Sequence, residues 1–373
     1  MSTICTSRST FAHRTRSLLA AALIVATAAC GSDTATTPGT PGFLGGTGDN
    51  HEIGVVMNST GKSMTLFQLG DPTVQQQITL GTSSTVTPTG FSLKGRYAAV
   101  PLGNAASVAL IDLQNSDIER YFTFTSGNAT GSVFADDTTI IAANTALGTV
   151  GRMTIGQADD AITQTVVVAA QPTAVAFAGG RALIVSANLD ANFTPIGNGV
   201  ITALDPKTLQ VLGTVETGGV NSGSAAVGPD GLLYVVNTGD YVAQGSITII
   251  NPATMQVVST VGGMGVGPGA ISIDANGLAY ISGFYSGTLV WNTKTRTFVR
   301  GTDNPVCAKL SDGSCRGAFA ATTDAAGDVY QAFFGSAAQD LPPYLFVFKA
   351  NSFALSDSIS VGVGPSALAI RTF

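Results

Sequence analysis

The sequence predicts an all-β protein, a seven-bladed β-propeller in which an N-terminal and a C-terminal strand close one blade. Three observations predict it. Short apolar segments repeat with a period in the forties between residues 51 and 373, the spacing at which one repeat makes one blade. Two kinds of tight turn alternate at that period. And each end of the repeat region holds a piece of one blade that the other end completes.

The elements can be taken in chain order. Residues 1–29 form a leader: Arg8, Arg14 and Arg16 make a positive region, and Leu18 to Ala29 is a small apolar run. A dozen residues fall short of the ~20 needed to span a bilayer, and the layout is that of a secretory signal. The run ends at Thr27-Ala28-Ala29-Cys30-Gly31. Small residues directly before a Cys resemble the bacterial lipobox, although Thr27 stands where Leu is usual. That resemblance implies a lipid on Cys30, which would become the mature N-terminus and attach the protein to a membrane. An ordinary signal peptide cleaved after an Ala is the alternative. Residues 30–50 are rich in Gly, Thr, Pro, Ser and Asp, a composition that reads as a flexible tether. No Asp directly follows Cys30, so the retention signal of some inner-membrane lipoproteins is missing. The expected location is the bacterial cell envelope, lipid-anchored and extracytoplasmic, at the outer membrane or cell surface.

Residues 51–373 carry the repeats. One kind of turn places Asp or Asn, often with Pro next, before a small polar residue: Asp205-Pro206-Lys207-Thr208, Asn251-Pro252-Ala253-Thr254 and Asn292-Thr293-Lys294-Thr295 are the clear copies. An Asx side chain can bond nearby backbone, and Pro pre-sets φ for the following position. Gly70-Asp71-Pro72, Asp112-Leu113-Gln114-Asn115, Gly156-Gln157 and Lys349-Ala350-Asn351-Ser352 complete this set. The second kind is a Gly or Asp turn, at Lys94-Gly95, Asp136-Asp137, Gly179-Gly180, Pro229-Asp230-Gly231, Ala275-Asn276-Gly277 and Ala325-Ala326-Gly327. Seven turns of one kind against six of the other leave one hairpin missing. It is accounted for if Ser366 to Arg371, an inner strand without a partner, pairs with Ile53 to Met57, a second strand without a first. Strand texture agrees: Val200-Ile201-Thr202-Ala203-Leu204 and Ile247-Thr248-Ile249-Ile250 are β-branched and nearly continuous in apolar character, as strands packed on both faces should be.

Leu233-Tyr234-Val235-Val236-Asn237, followed by Gly245 to Ile250 and Thr254 to Val261, resembles the YVTN-type β-propeller repeat. That family includes surface-layer and periplasmic proteins. The likeness is sharp over residues 172–300 and fades in the first three blades. It implies the fold and leaves the activity open, because propellers host many unrelated functions.

Of four cysteines, Cys5 lies in the leader and Cys30 is the lipidation candidate. Cys307 and Cys315 remain, in a Gly/Asp/Ser-rich loop. In an exported protein such a pair points to a local disulfide. A metal site is the rival reading, but no His or further Cys stands nearby to complete four ligands. Loss of the leader takes 17 basic residues to 14 against 23 acidic ones, so the formal charge moves from −6 to −9. That balance argues against a nucleic-acid partner.

The chain has two histidines, His13 in the leader and His51 at the tether junction. A Ser-His-Asp arrangement or a His-rich metal site in residues 51–373 is therefore all but excluded. No Walker-type loop or His-Glu-x-x-His motif occurs. No cofactor is expected, and a carboxylate-only Ca²⁺ or Mg²⁺ site stays open. Topology indicates where to look, because connections from second to third strand and from each blade to the next share the rim opposite the tight hairpins. Residues 188–198, the 307–315 loop and residues 337–344 are the long connections, with Asp240-Tyr241 and Phe284-Tyr285 at equivalent places. The candidate binding residues are Asp190, Asn192, Asp240, Tyr241, Phe284, Tyr285, Asp340 and Tyr344, an aromatic and Asx set over blades 4 to 7. The expected function is a non-enzymatic binding or scaffold lipoprotein for a protein, peptide or glycan partner. The alternative is a divalent-metal-dependent lactonase- or lyase-like enzyme, with Asp190, Asp240 and Asp340 as metal-ligand candidates.

Overall fold

A computed structural model of the protein describes residues 43–44, 51–336 and 340–373. The leader, Cys30 and most of the 30–50 stretch lie outside the described residues. Phe43 and Leu44 are the part of that stretch that is described, and Leu44 is buried against the hydrophobic cluster between blades 1 and 2.

The described residues form seven four-stranded antiparallel sheets. Blade 1 is built, from the axis outward, of Pro365–Thr372, Glu52–Asn58, Ser63–Gln68 and Gln75–Thr79. The other blades follow in chain order, with inner strands Ser92–Lys94, Ala129–Phe134, Pro172–Ala178, Ser222–Val227, Pro268–Ile273 and Ala320–Thr323. Every turn of both kinds expected from the sequence joins adjacent strands of one blade.

Burial follows position in the blade. Second and third strands such as Leu233–Asn237 and Ser107–Asp112 are buried along their whole length, whereas outer strands such as Asp117–Thr123 and Val211–Glu216 alternate. The reason is that successive side chains of a strand point to opposite faces, and each face of a blade meets a neighbour. In blade 5, Leu233 and Val235 pack with blade 4, while Tyr234 and Val236 pack with blade 6. Seven hydrophobic clusters result, one in each gap between blades.

Closure comes from the chain ends. Glu52–Asn58 pairs antiparallel with Pro365–Thr372, from Glu52↔Thr372 to Asn58↔Pro365, with one irregularity at Met57/Asn58. The Phe373 N–H extends the ladder to the carbonyl of His51 at 3.1 Å. Leu368 and Ile370 then pack on the cluster shared by blades 7 and 1, and Ala367 on the cluster shared by blades 1 and 2. Gly54, in the middle of this clasp, has no alternative residue type: an added Cβ would lie 2.0 Å from the Phe67 ring.

The repeated Tyr and Asn of the motif have separate structural tasks. Asn237, 1% exposed, ends its strand by donating to Ser246 Oγ at 3.0 Å and Thr248 Oγ1 at 2.9 Å, and it accepts from Ser222 Oγ at 2.7 Å. It thus ties three strands of one blade together. The Tyr234 hydroxyl donates to Asp230 Oδ2 at 2.7 Å, while Asp230 Oδ1 accepts the Leu232 N–H at 3.1 Å. Tyr330 stands equivalently over Asp324, and Tyr280 over Asp274. Burial, with the adjacent carboxylate second, pushes the Tyr234 phenol up to about 12. The same two causes push up Tyr280 and Tyr330.

Two outcomes follow from this packing. Deleting residues 366–373 strips blade 1 of its inner strand and exposes a seven-residue sheet edge. We expect aggregation or a large fall in melting temperature. A truncated protein melting within about two degrees of the parent, the scale of an ordinary surface change, would contradict closure by these strands. The tyrosines give a pH dependence. A phenol normally ionises near 10, so the folded state holds its proton longer than the unfolded chain. The stabilisation is complete below about pH 10 and is lost as pH rises toward about 12, on the order of 2 kcal/mol for Tyr234. Denaturant titrations across that range should show the fall, and Tyr234→Phe should make it shallower. An unchanged slope in the variant would remove Tyr234 from the account.

Candidate binding rim

Because blade strands are antiparallel, loops between second and third strands meet the blade-to-blade connections at one rim. The axial channel opens there, with a cavity of about 540 Å³. Its walls are neutral, with small residues such as Gly131, Ser132, Thr173, Ser224, Ser272 and Ala320 beside the larger Phe91, Val175, Ile271 and Leu368, and among the described residues no Asp, Glu, Lys, Arg, His or Cys lines it. Inner strands crowd toward the axis, so at some positions a larger side chain costs space. Gly131 shows this, since a Cβ there would sit 2.7 Å from the Ala174 Cα. Such walls can exclude, admit or hydrogen-bond a neutral group.

The mouth of the channel is different. Tyr241, Phe284 and Phe319 line it together with Asn221 and Thr238. Asp240 Oδ1 accepts the N–H groups of Val242 at 3.0 Å and Ala243 at 2.8 Å, and these bonds hold its carboxyl below the usual range. The turn they define places Tyr241 at φ 63°, a conformation that a bulky residue adopts only where its surroundings impose it. Half of Tyr241 is left exposed, and Val242 and Tyr285 are more exposed still. Gly267 lies between the two tyrosines: a Cβ there would meet the Tyr241 ring at 3.1 Å and the Tyr285 ring at 3.5 Å. From blade 6 to blade 7 an aromatic row continues. Phe284 meets Phe319 edge-on at 4.7 Å, and Phe319 stacks on Phe334 at 4.6 Å.

The eight residues singled out from the sequence thus separate. Tyr241, Phe284 and Tyr285 come together at the mouth, with Asp240 setting the turn beneath them. Asp190 and Asn192 belong to a blade 4 loop, where Asp190 Oδ1 accepts the N–H of Asn192 at 2.8 Å and of Thr194 at 2.9 Å, and Gln171 Nε2 donates to the Asp190 carbonyl at 2.7 Å. That loop presents Phe193 and Ile196 to solvent. Asp340 is exposed, with φ 53°. Tyr344 begins the third strand of blade 7, half-buried, with its ring 6.0 Å from Phe346. Among the described residues no three His, Cys, Asp or Glu side chains form a group able to hold a metal ion. Asp190, Asp240 and Asp340 therefore do not assemble into one, and two of them already spend an oxygen on turn N–H groups.

Sequence reasoning missed Phe319 and Phe334. A signal existed for Phe334: it follows its second strand directly, as Phe284 and Thr238 do in the two preceding blades. Phe319 precedes its inner strand and meets the others only through the ring. The disulfide between Cys307 and Cys315 is present. It closes a loop tied to blade 6 by the reciprocal backbone pair Thr288–Val306 at 2.9 Å in both directions. Buried Gln331 of blade 7 reaches Thr288 Oγ1 and the Val306 carbonyl, each at 2.8 Å.

No family model matches the chain, and no curated protein matches it. Solved structures do match. One is from Kuenenia stuttgartiensis hydrazine synthase, with a TM-score of 0.61 and 11% identity, covering 79% of this chain and 98% of that one. Another is a functionally unknown protein from Desulfotomaculum acetoxidans DSM 771, with a TM-score of 0.64 and 16% identity, covering 85% and 98%. At these identities the likeness concerns the fold alone: the chain is similar to these structures in being a β-propeller, here of seven blades.

Proposed function

We propose that this protein is an extracytoplasmic, lipid-anchored binding propeller of YVTN type, holding a protein, peptide or glycan partner on the rim over blades 4 to 7 without transforming it. The observation that carries the reading is the exposure of Phe193, Ile196, Tyr241, Val242 and Tyr285, each at least half in solvent, on loops of that rim. Rigid aromatics give contact area at little entropic cost and dominate the energetics of many interfaces. Neutral channel walls support binding over catalysis. The lipobox-like run before Cys30 supports anchoring.

The test has two arms. Replacing Phe193, Tyr241 and Tyr285 together by Ala should abolish capture of the partner from envelope extract while the melting temperature holds. Lys207→Ala and Lys294→Ala, on the opposite hairpins, should leave capture intact; the reverse pattern would place the binding face on the other rim. In the second arm, Cys30→Ala should release the protein from membranes, and mass spectrometry should find acyl groups on Cys30 of the parent. An unmodified N-terminus at another residue would refute the anchor.

A further inference from the structure

Behind the aromatic row, between blades 6 and 7, lies a second cavity of about 300 Å³. Phe284, Phe319, Phe334 and Leu341 wall it, and Arg316 lines it. That arginine differs from the others of its kind in what meets its guanidinium. Five arginines are half-buried among the described residues. Arg120 pairs with Asp160, Arg152 donates to Gln164, and Arg181 and Arg300 donate to the carbonyls of Pro252 and Ser352. Arg316 alone among them has no protein acceptor for its guanidinium; its Nε, like that of Arg152, is buried without a partner. A guanidinium with unused donors in a partly dry place is costly unless something meets it.

The surroundings hold this group in position with care. Its Cζ lies 5.1 Å from the Phe333 ring centroid and 5.3 Å from that of Phe346, so both rings take part in the cation's support. The Arg316 N–H donates to the Ala308 carbonyl at 2.9 Å, inside the loop that the Cys307–Cys315 disulfide closes. The next residue must be glycine, because a Cβ on Gly317 would fall 2.0 Å from the Phe284 carbonyl oxygen. The disulfide loop therefore ends by delivering one unpaired cation to the wall of an aromatic cavity.

We infer that this cavity binds a carboxylate carried on an aromatic body, the carboxylate meeting the Arg316 guanidinium and the ring lying among Phe284, Phe319 and Phe334. A planar fork of donors matches two carboxylate oxygens. Among the described residues Arg316 is the one basic side chain in the lining, with Lys309 Nζ 3.2 Å from the lining Cys315 Sγ; a single guanidinium fits a monoanion better than a phosphate, and the volume sits at the small end of ligand pockets. The inference rests on the binding reading above and narrows one part of that face to a ligand class.

Phenylacetate, phenylacetamide and inorganic phosphate are suitable probes, titrated into the purified full-length protein by calorimetry. The expected result is saturable binding of phenylacetate, with the neutral amide roughly tenfold weaker or more, as loss of a charge-assisted pair implies, and phosphate weaker than phenylacetate. Arg316→Met should level acid and amide. Should that variant fail to fold, a dicarbonyl reagent selective for arginine gives a second measure on the parent: phenylacetate should protect Arg316 from modification and phenylacetamide should not. Equal binding of acid and amide, tighter phosphate, a preference that survives Arg316→Met, no binding of either ring compound, or no protection would each overturn the inference. Partner capture is read separately, so loss of capture with phenylacetate binding intact overturns the rim reading alone, and the converse overturns the pocket.

Discussion

The antiparallel pairing of Glu52–Asn58 with Pro365–Thr372 is the constraint on which the rest of the structure depends. A blade alone buries neither face, and six gaps between seven blades would leave two apolar faces in water. The terminal clasp supplies the seventh gap, filled by Val56, Phe67, Tyr330 and Leu345 among others. It also fixes the ring's circumference, and with it the width of the axial channel. The rim follows from blade order: Tyr241, Phe284 and Phe319 come from the consecutive blades 5, 6 and 7 and line one mouth because those blades are neighbours in the ring.

The two rims divide the polar chemistry between them. On the hairpin side, Asp230, Asp274 and Asp324 each cap a turn and stand beneath a buried tyrosine. Carboxylates there maintain the fold. On the opposite side Asp190 and Asp240 also accept turn N–H groups, but the turns they make are longer and push apolar side chains outward. The carboxylate in each case shapes the loop, and the neighbouring Phe193 or Tyr241 is what a partner would meet. The Arg316 cavity adjoins the same face, since Phe284 and Phe319 line both it and the channel mouth.

Much of the architecture was legible in the residues because turn chemistry is local. Asp-Pro-Lys-Thr and Asn-Pro-Ala-Thr declare themselves without knowledge of the fold, and the strand count follows from their spacing. The clasp was legible as well, since one missing hairpin has one economical explanation. The site was less so. Asx residues that mark a loop as a turn look the same in sequence as Asx residues poised for a ligand; Asp190, Asn192 and Asp240, recognition candidates by sequence, are also acceptors or members of turns. Tyr344 read as a rim aromatic, but strand pairing with Phe333 and Ser360 sets it half into a blade. Phe319, Phe334 and Arg316 could not be grouped in advance, because their proximity depends on how blade 6 meets blade 7. Phe43 and Leu44 were two apolar residues in a polar stretch, too short a signal to predict their packing on blades 1 and 2.

Hydrogen exchange read by mass spectrometry tests the central claim, that the chain ends form a full working strand pair of the ring. Amides of Pro365–Thr372 and Glu52–Asn58 that bond across the clasp should exchange together, as slowly as those of an interior strand such as Arg181–Ser186, because opening the clasp requires opening the ring. Exchange of Pro365–Thr372 at the rate of the exposed 188–198 loop, with the other blades still protected, would show a frayed end and contradict the account.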